Sequence, residues 1–160
     1  NHRANGLVGA AYRIRTMYGE IICDGCHSTP AALNNYFMSK GPDYSIMISD
    51  ALMAKGTPVG SKYIFGGNEI VIYPDGSAHL TSTGGLAGST LNINKGLKIL
   101  VEDAMVPFNY ALNACTINPA RCLHLDDRKG SIQIGKDADL VVLDDNYDVL
   151  QTYCMGKAQL

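Results

Sequence analysis

Two carboxylates and a histidine stand where apolar runs stop. Ile21-Ile22-Cys23 gives way to Asp24-Gly25-Cys26-His27, and the run from Tyr44 to Ile48 gives way to Ser49-Asp50. A carboxylate at the mouth of a parallel sheet or barrel is placed to hold and move a proton. Asp50 is the strongest single candidate for that role. The competing reading makes it the N-cap of a helix starting at Ala51-Leu52-Met53. His27 follows its strand end and precedes a helix start, so it faces the same mouth as Asp50 if the two strands are neighbours. A surface histidine is the alternative, and Asp24 and Gly25 beside it favour the functional reading, since glycine lets backbone approach a ligand closely. Arg3 carries a guanidinium suited to a phosphate or carboxylate, or is simply solvated. The small-residue loop Gly84 to Ser89 offers backbone N–H groups to an anion or sugar, though it has no phosphate-loop lysine and also reads as a plain connection.

The letters Cys23-Asp24-Gly25-Cys26-His27 also spell C-x-x-C-H, a haem-attachment pattern. Against that reading, Cys23 lies inside the apolar run and no export signal opens the chain. Five cysteines make an odd, irregular set without secretory features, so reduced thiols are expected. A structural zinc would need a second close pair of ligands, whereas Cys115 and Cys122 fall on helical sequence.

These residues need elements to hold them. Leu7 to Ile14 fits a short helix or packed loop, and Tyr18 to Cys23 a buried strand. Thr29 is a plausible N-cap with Pro30 at the first helical position, and Ala32, Leu33, Tyr36 and Phe37 share a face until Gly41-Pro42. Tyr44 to Ile48 is a second strand, so two strand-and-helix units point to a parallel sheet with helices outside. Lys62 to Phe65, Glu69 to Tyr73 and Ser77 to Leu80 alternate like antiparallel strands about Gly66-Gly67 and Pro74-Asp75-Gly76. Two amphipathic helices follow, one facing inward through Leu97, Leu100, Val101 and Ala104, the other through Phe108, Ala111, Leu112 and Cys115. Asn118-Pro119 is expected to cap a third helix to about Leu123. The last thirty residues read as short strands without a core of their own.

With 160 residues, 46% hydrophobic and 18% charged, the chain can bury a real core. A net charge of −2 with no basic cluster argues against nucleic acid. No apolar run approaches the ~20 residues of a membrane span, so a cytoplasmic protein with no membrane partner is expected. The first residue is Asn1, so a piece of something longer is among the expectations.

Taken together, His2-Arg3 with Gly6-Leu7-Val8-Gly9-Ala10-Ala11, Asp24-Gly25-Cys26-His27, Ile48-Ser49-Asp50-Ala51, Leu86-Ala87-Gly88-Ser89, Asn118-Pro119-Ala120-Arg121, and Lys129-Gly130-Ser131-Ile132 with Gly135 to Asp144 run in one order along the whole chain. In that order they resemble the N-acetylglucosamine-6-phosphate deacetylases of the amidohydrolase superfamily. The last two motifs are shared across the superfamily. The D-G-x-H turn, the H-R opening and the L-A-G-S loop carry the more specific likeness. Ala4-Asn5 replaces a proline frequent in that opening, and Asn1 a frequent histidine.

The resemblance implies an α/β fold: the C-terminal part of a (β/α)₈ TIM-like barrel over residues 1–128, with a hairpin excursion at about 61–82. Residues 129–160 would be strands of a small β-sandwich. It implies Asp50 as the catalytic aspartate that takes a proton from metal-bound water and passes it to the departing amine. Substrate contacts fall to Asp24, Gly25, Cys26 and His27, to Leu86, Ala87 and Gly88 as a covering loop, and to Arg3 at the sugar phosphate. Cys26 stands at the variable position. A divalent metal, zinc or iron, would be held by a glutamate and two histidines upstream, with none firmly bound by this chain. The expected partners are a phosphorylated amino sugar and either a second copy or the upstream half. On this reading the chain alone is inactive. The alternatives are another amidohydrolase, acting on a cyclic amide or a dipeptide, or a non-catalytic barrel remnant serving as an interaction surface.

Overall fold

The computed structural model describes residues 6–159, so Arg3 lies outside the described residues. Helix α1 (Gly6–Arg13) precedes strand β1 (Gly19–Ile22), helix α2 (Pro30–Lys40) and strand β2 (Ser45–Ile48). β1 and β2 are parallel and in register, Gly19 opposite Ser45 and Ile22 opposite Ile48. A parallel pair needs a crossover, and α2 supplies it.

α2 starts as its sequence dictates. Thr29 is extended, at φ −64° and ψ 155°, and its hydroxyl accepts the Ala32 N–H at 3.3 Å, with Pro30 just inside. Gly41 stops the helix at φ 77° and returns its N–H to the Phe37 carbonyl. The buried stripe is Leu33, Tyr36, Phe37 and Lys40, and Ala32 faces out. Lys40 joins the stripe because its ammonium has somewhere to go. Nζ donates to the carbonyls of Ala11 (3.0 Å) and Ile14 (2.9 Å) and to that of Met17, acceptors at and beyond the end of α1. Burial pushes this amine below the usual lysine range. The Tyr36 hydroxyl donates to Gly19 O at 2.7 Å, and a Cβ on residue 19 would come within 2.2 Å of that oxygen, so β1 has to open with glycine.

Strands β3 (Lys62–Phe65), β4 (Asn68–Ile72) and β5 (Ala78–Leu80) form an antiparallel sheet. Gly66 and Gly67 turn the first hairpin with φ of 57° and 80°, the two positive values that a type I′ turn demands. This sheet has its own small cluster of Ala54, Ile70, Ile72, Ala78 and Ala87.

Helix α3 (Ile93–Lys98) runs on into a π-helical segment, Ile99–Asp103, and is followed by α4 (Phe108–Cys115) and α5 (Ile117–Cys122). They close the main core, where Cys23, Leu33, Phe37, Met47, Leu97 and Leu100 meet. Leu33, Phe37 and Leu100 are fully buried, each such side chain contributing about 1.5–3 kcal/mol. Two expectations need correction. α4 buries Ala111 and Ala114, while Phe108 and Leu112 are exposed, because the helix packs on β2 through its small residues. Asn118 does not cap α5: it lies within the helix, wholly buried, and its amide reaches β2.

Strands β6 (Leu140–Leu143), β7 (Val149–Cys154) and β8 (Lys157–Gln159) make a last antiparallel sheet, and no residue of these strands is buried. It is pinned to α3 where Asn94 Nδ2 donates to Tyr147 O at 2.8 Å and where Lys95 pairs with Asp148. The shared superfamily motif is a clamp here. Lys129 bonds Asp137 at 2.9 Å and also Asp139, whose other oxygen accepts the Met155 N–H at 2.8 Å. A cleft of about 860 Å³ opens between α3, α4 and this sheet, walled by Ile93, Leu97, Leu112, Leu140, Val141 and Val149.

Candidate active site

Because Ile22 and Ile48 are register partners on parallel strands, Asp24 and Asp50 leave the sheet at the same end, each two residues beyond the last pair. The two sequence candidates thus share one mouth, at neighbouring strand ends ~5 Å apart in the sheet.

The Asp24 turn is tightly made. Asp24 Oδ1 accepts the N–H groups of Cys26 and His27, both at 2.9 Å, and Oδ2 meets His27 Nδ1 at 2.8 Å. Gly25 carries φ 77°, and nothing lies within 4 Å of the place its Cβ would take, so the turn is open where a ligand would approach. Burial pushes the Asp24 carboxyl up, yet the His27 N–H, the His27 ring and the Cys26 N–H together bring it below its ordinary 3.8. An ionised Asp24 can only accept, so His27 carries its proton on Nδ1 and leaves Nε2 for a ligand. A depressed carboxyl supports the turn fully above its ordinary value and loses that support as pH falls through the lowered one. The side-chain carboxyl ¹³C shift of Asp24 is therefore expected to show its main titration step below the ordinary carboxylate range. A main step above pH 5 for that carboxyl carbon would contradict this.

Cys26 is exposed, and its thiol is pushed up by burial and by the charges of Asp24 and Asp75. Cys23 is fully buried and pushed up to about 12, chiefly by burial, which makes it packing rather than chemistry.

Asp50 is exposed and left-handed at φ 47°, a region aspartate tolerates better than most residues. No helix follows it, which removes the N-cap reading. Instead Ser89 N donates to Asp50 O at 2.8 Å and Leu52 N to Ser89 O at 2.8 Å, pairing Ala51 with Ser89 as a third parallel neighbour. Leu86, Ala87 and Gly88 are therefore held at both ends. Leu86 pairs with His79, Ala87 N donates to Ala78 O at 3.0 Å, and Ser89 is tied to Asp50. Ala87 is buried in the hairpin cluster, so this loop meets a ligand through backbone and the flanking positions. Gly88, at φ 61°, has Leu52 within 2.7 Å of a hypothetical Cβ.

Sequence reasoning passed over a polar line on β5 and its approach. Asp75, Ser77 and His79 alternate, the spacing that puts side chains on one face of a strand, and that period was the available signal. Among the described residues no group of three or more His, Cys, Asp or Glu side chains could hold a metal. The 860 Å³ cleft includes none of Asp24, His27 or Asp50.

Residues 11–158 match the amidohydrolase family. The chain belongs to the amidohydrolase family. Within it, the chain is 38% identical to the N-acetylglucosamine-6-phosphate deacetylase of Bacillus subtilis over 157 residues, covering 98% of this chain and 39% of that protein. It is 34% identical to an Escherichia coli K12 amidohydrolase named "Putative N-acetylgalactosamine-6-phosphate deacetylase", covering 98% of this chain and 92% of that one. Among solved amidohydrolases it superposes, at a TM-score of 0.90 and 29% identity, on an aspartate-to-alanine variant of the Mycobacterium smegmatis N-acetyl-D-glucosamine-6-phosphate deacetylase in complex with N-acetyl-D-glucosamine-6-phosphate, covering 99% of this chain and 42% of that one. The chain thus spans about two fifths of the Bacillus relative and nearly all of the Escherichia one.

Proposed function

We propose that this chain is the C-terminal portion of a deacetylase that hydrolyses the acetamide of N-acetylglucosamine 6-phosphate to glucosamine 6-phosphate and acetate. The observation that carries the reading is the pairing of Asp24–His27 with Asp50 at one end of two registered parallel strands. Asp50, exposed at that mouth, accepts a proton from the attacking water and delivers it to the departing amine nitrogen. His27, oriented by Asp24 through Nδ1, uses Nε2 to bind and align the acetamide. The Leu86–Gly88 backbone bounds the sugar, and Arg3 meets the phosphate. The metal that the resemblance calls for is held by residues outside this chain.

The same reading assigns residues 1–128 to the C-terminal part of a (β/α)₈ barrel and 129–160 to strands of a small sandwich. Two features support it. Among the described residues no strand pairs with the outer edge of β1, and the last sheet exposes Val141 and Val149 beside an unfilled apolar cleft. An open strand edge and a half-covered sheet both call for a partner segment. Among the described residues no helix is long and apolar enough to cross a membrane; a cytoplasmic reaction is part of the same reading, because a charged sugar phosphate does not cross a bilayer unaided. The name of the Escherichia relative favours one second reading, the 4-epimeric N-acetylgalactosamine 6-phosphate.

The test is direct. Purified 1–160 with added zinc is expected to release no acetate from either sugar phosphate. It is expected to self-associate in light scattering until an upstream amidohydrolase half is supplied. Turnover by the chain alone, or a well-folded monomer, would overturn the half-site reading. Comparing the two epimers in the reconstituted enzyme decides between the substrates.

A further inference from the structure

The line Asp75, Ser77, His79 ends on the Gly84 carbonyl, inside the turn that leads to Leu86–Gly88. Ser77 Oγ lies 2.5 Å from Asp75 Oδ1 and 2.8 Å from His79 Nε2, and His79 Nδ1 lies 2.7 Å from Gly84 O. Ser77 is buried, so its hydroxyl has to be satisfied within the protein. Proton counting then fixes the states. A carbonyl only accepts, so Nδ1 carries a proton. The Ser77 hydroxyl owns one proton and gives it to the Asp75 carboxylate, so the contact with Nε2 requires a proton on the ring.

We propose that His79 is a positioning residue for the Leu86–Gly88 loop, acting as an imidazolium that links Asp75, through Ser77, to the Gly84 carbonyl. The loop it sets serves the sugar on the deacetylase reading above, and the inference rests on that reading only for what the loop is for. The surroundings fit. Tyr73 stacks on the ring with centroids 3.9 Å apart and planes 13° from parallel, an arrangement favourable to a cation on an aromatic face. Asp75 is held below the usual carboxylate range by the Ser77 hydroxyl and N–H, so it stays an acceptor. On the neighbouring strands the charged groups are Lys62 and Glu69, which bond each other at 2.9 Å, and Val71 is the residue opposite His79.

When the ring loses a proton, one link in the chain has no hydrogen left, and the turn closed by Leu80 N–Gly85 O and Gly84 N–Leu80 O, each 2.8 Å, loses its brace. The test uses ¹⁵N-labelled protein. At a pH where the Leu80 and Gly84 amides are protected, both His79 ring nitrogens are expected to be protonated. As the ring titrates, protection of these two amides is expected to fall about tenfold relative to amides of the β3–β4 ladder, as for loss of a charge-assisted bond. Ser77→Ala and His79→Phe, the latter keeping the stack on Tyr73, are expected to show the lower protection at every pH with no step, while the β3–β4 amides stay protected. A neutral ring beneath a fully protected turn would overturn the proposal, as would unchanged protection in both variants. In the reconstituted enzyme Ser77→Ala is expected to raise KM several-fold with kcat little changed. If that enzyme proves not to be a deacetylase, the exchange result still decides the role of His79.

Discussion

Replacing Asp50 with asparagine is expected to lower deacetylation by the reconstituted enzyme by about 10³-fold, within the range lost with a general acid–base group. The loss should fall on kcat, with KM close to that of the parent, because the proton is needed as the tetrahedral centre forms and collapses rather than as the sugar binds. Asparagine is the right probe for a structural reason. Asp50 sits at φ 47°, and asparagine is among the few residues that accept that region, so the backbone pairing of Ala51 with Ser89 survives the change. Alanine at the same place would add strain and blur the reading. A circular dichroism spectrum like the parent's, together with turnover reduced less than tenfold, would remove Asp50 from the chemistry.

The second large effect is on stability. Asn118→Leu is expected to destabilise the protein by about 2 kcal/mol, from two lost hydrogen bonds and the loss of this donor at the Ser45 carbonyl, while Pro42 O keeps the Asn113 amide at 3.3 Å. Asn118 has no exposed surface, and its Nδ2 donates to Pro42 O at 2.8 Å and to Ser45 O at 2.9 Å. Ser45 opens β2, so this one amide fixes the start of the strand whose far end presents Asp50. Urea unfolding at fixed protein concentration should show the midpoint displaced by about 1–2 M. A displacement under ~0.3 M would mean that the Ser45 carbonyl finds another donor.

How much of this was legible depends on the range over which each residue acts. Thr29, Pro30 and Gly41 act within one turn of themselves, and α2 begins and ends where they say. The β1 and β2 runs and the shared end of Asp24 and Asp50 were legible because parallel strands with a helical crossover leave few arrangements. Ala51-Leu52-Met53-Ala54 has good helix formers, so the sequence could not decide whether Asp50 capped a helix. What decides is Ser89, far along the chain, which claims the backbone on both sides of Ala51. Asn118 read as a cap for the same reason: Asn-Pro is a strong local signal, and the carbonyls that use its amide lie more than seventy residues away. On α4 the larger residues Phe108 and Leu112 outweighed Ala111 and Ala114 in the pattern, yet closeness to β2 selects the small ones. The line from Asp75 to His79 is masked in the sequence because Pro74-Asp75-Gly76 is a strong turn signal, and the two-residue period that joins Asp75 to Ser77 and His79 begins inside that turn.

The bonds that flank Ala51 also have a bearing on how this site can change through time. Ser89 N to Asp50 O and Leu52 N to Ser89 O join the two ends of everything between them, so residues 53 to 88 form a bight of chain that leaves and returns at a single point. Insertions or deletions out along that bight change its length without breaking the pairing on either side of Ala51. Relatives that keep this pairing are then free to vary what lies between, and the length of this excursion is where their divergence should be greatest.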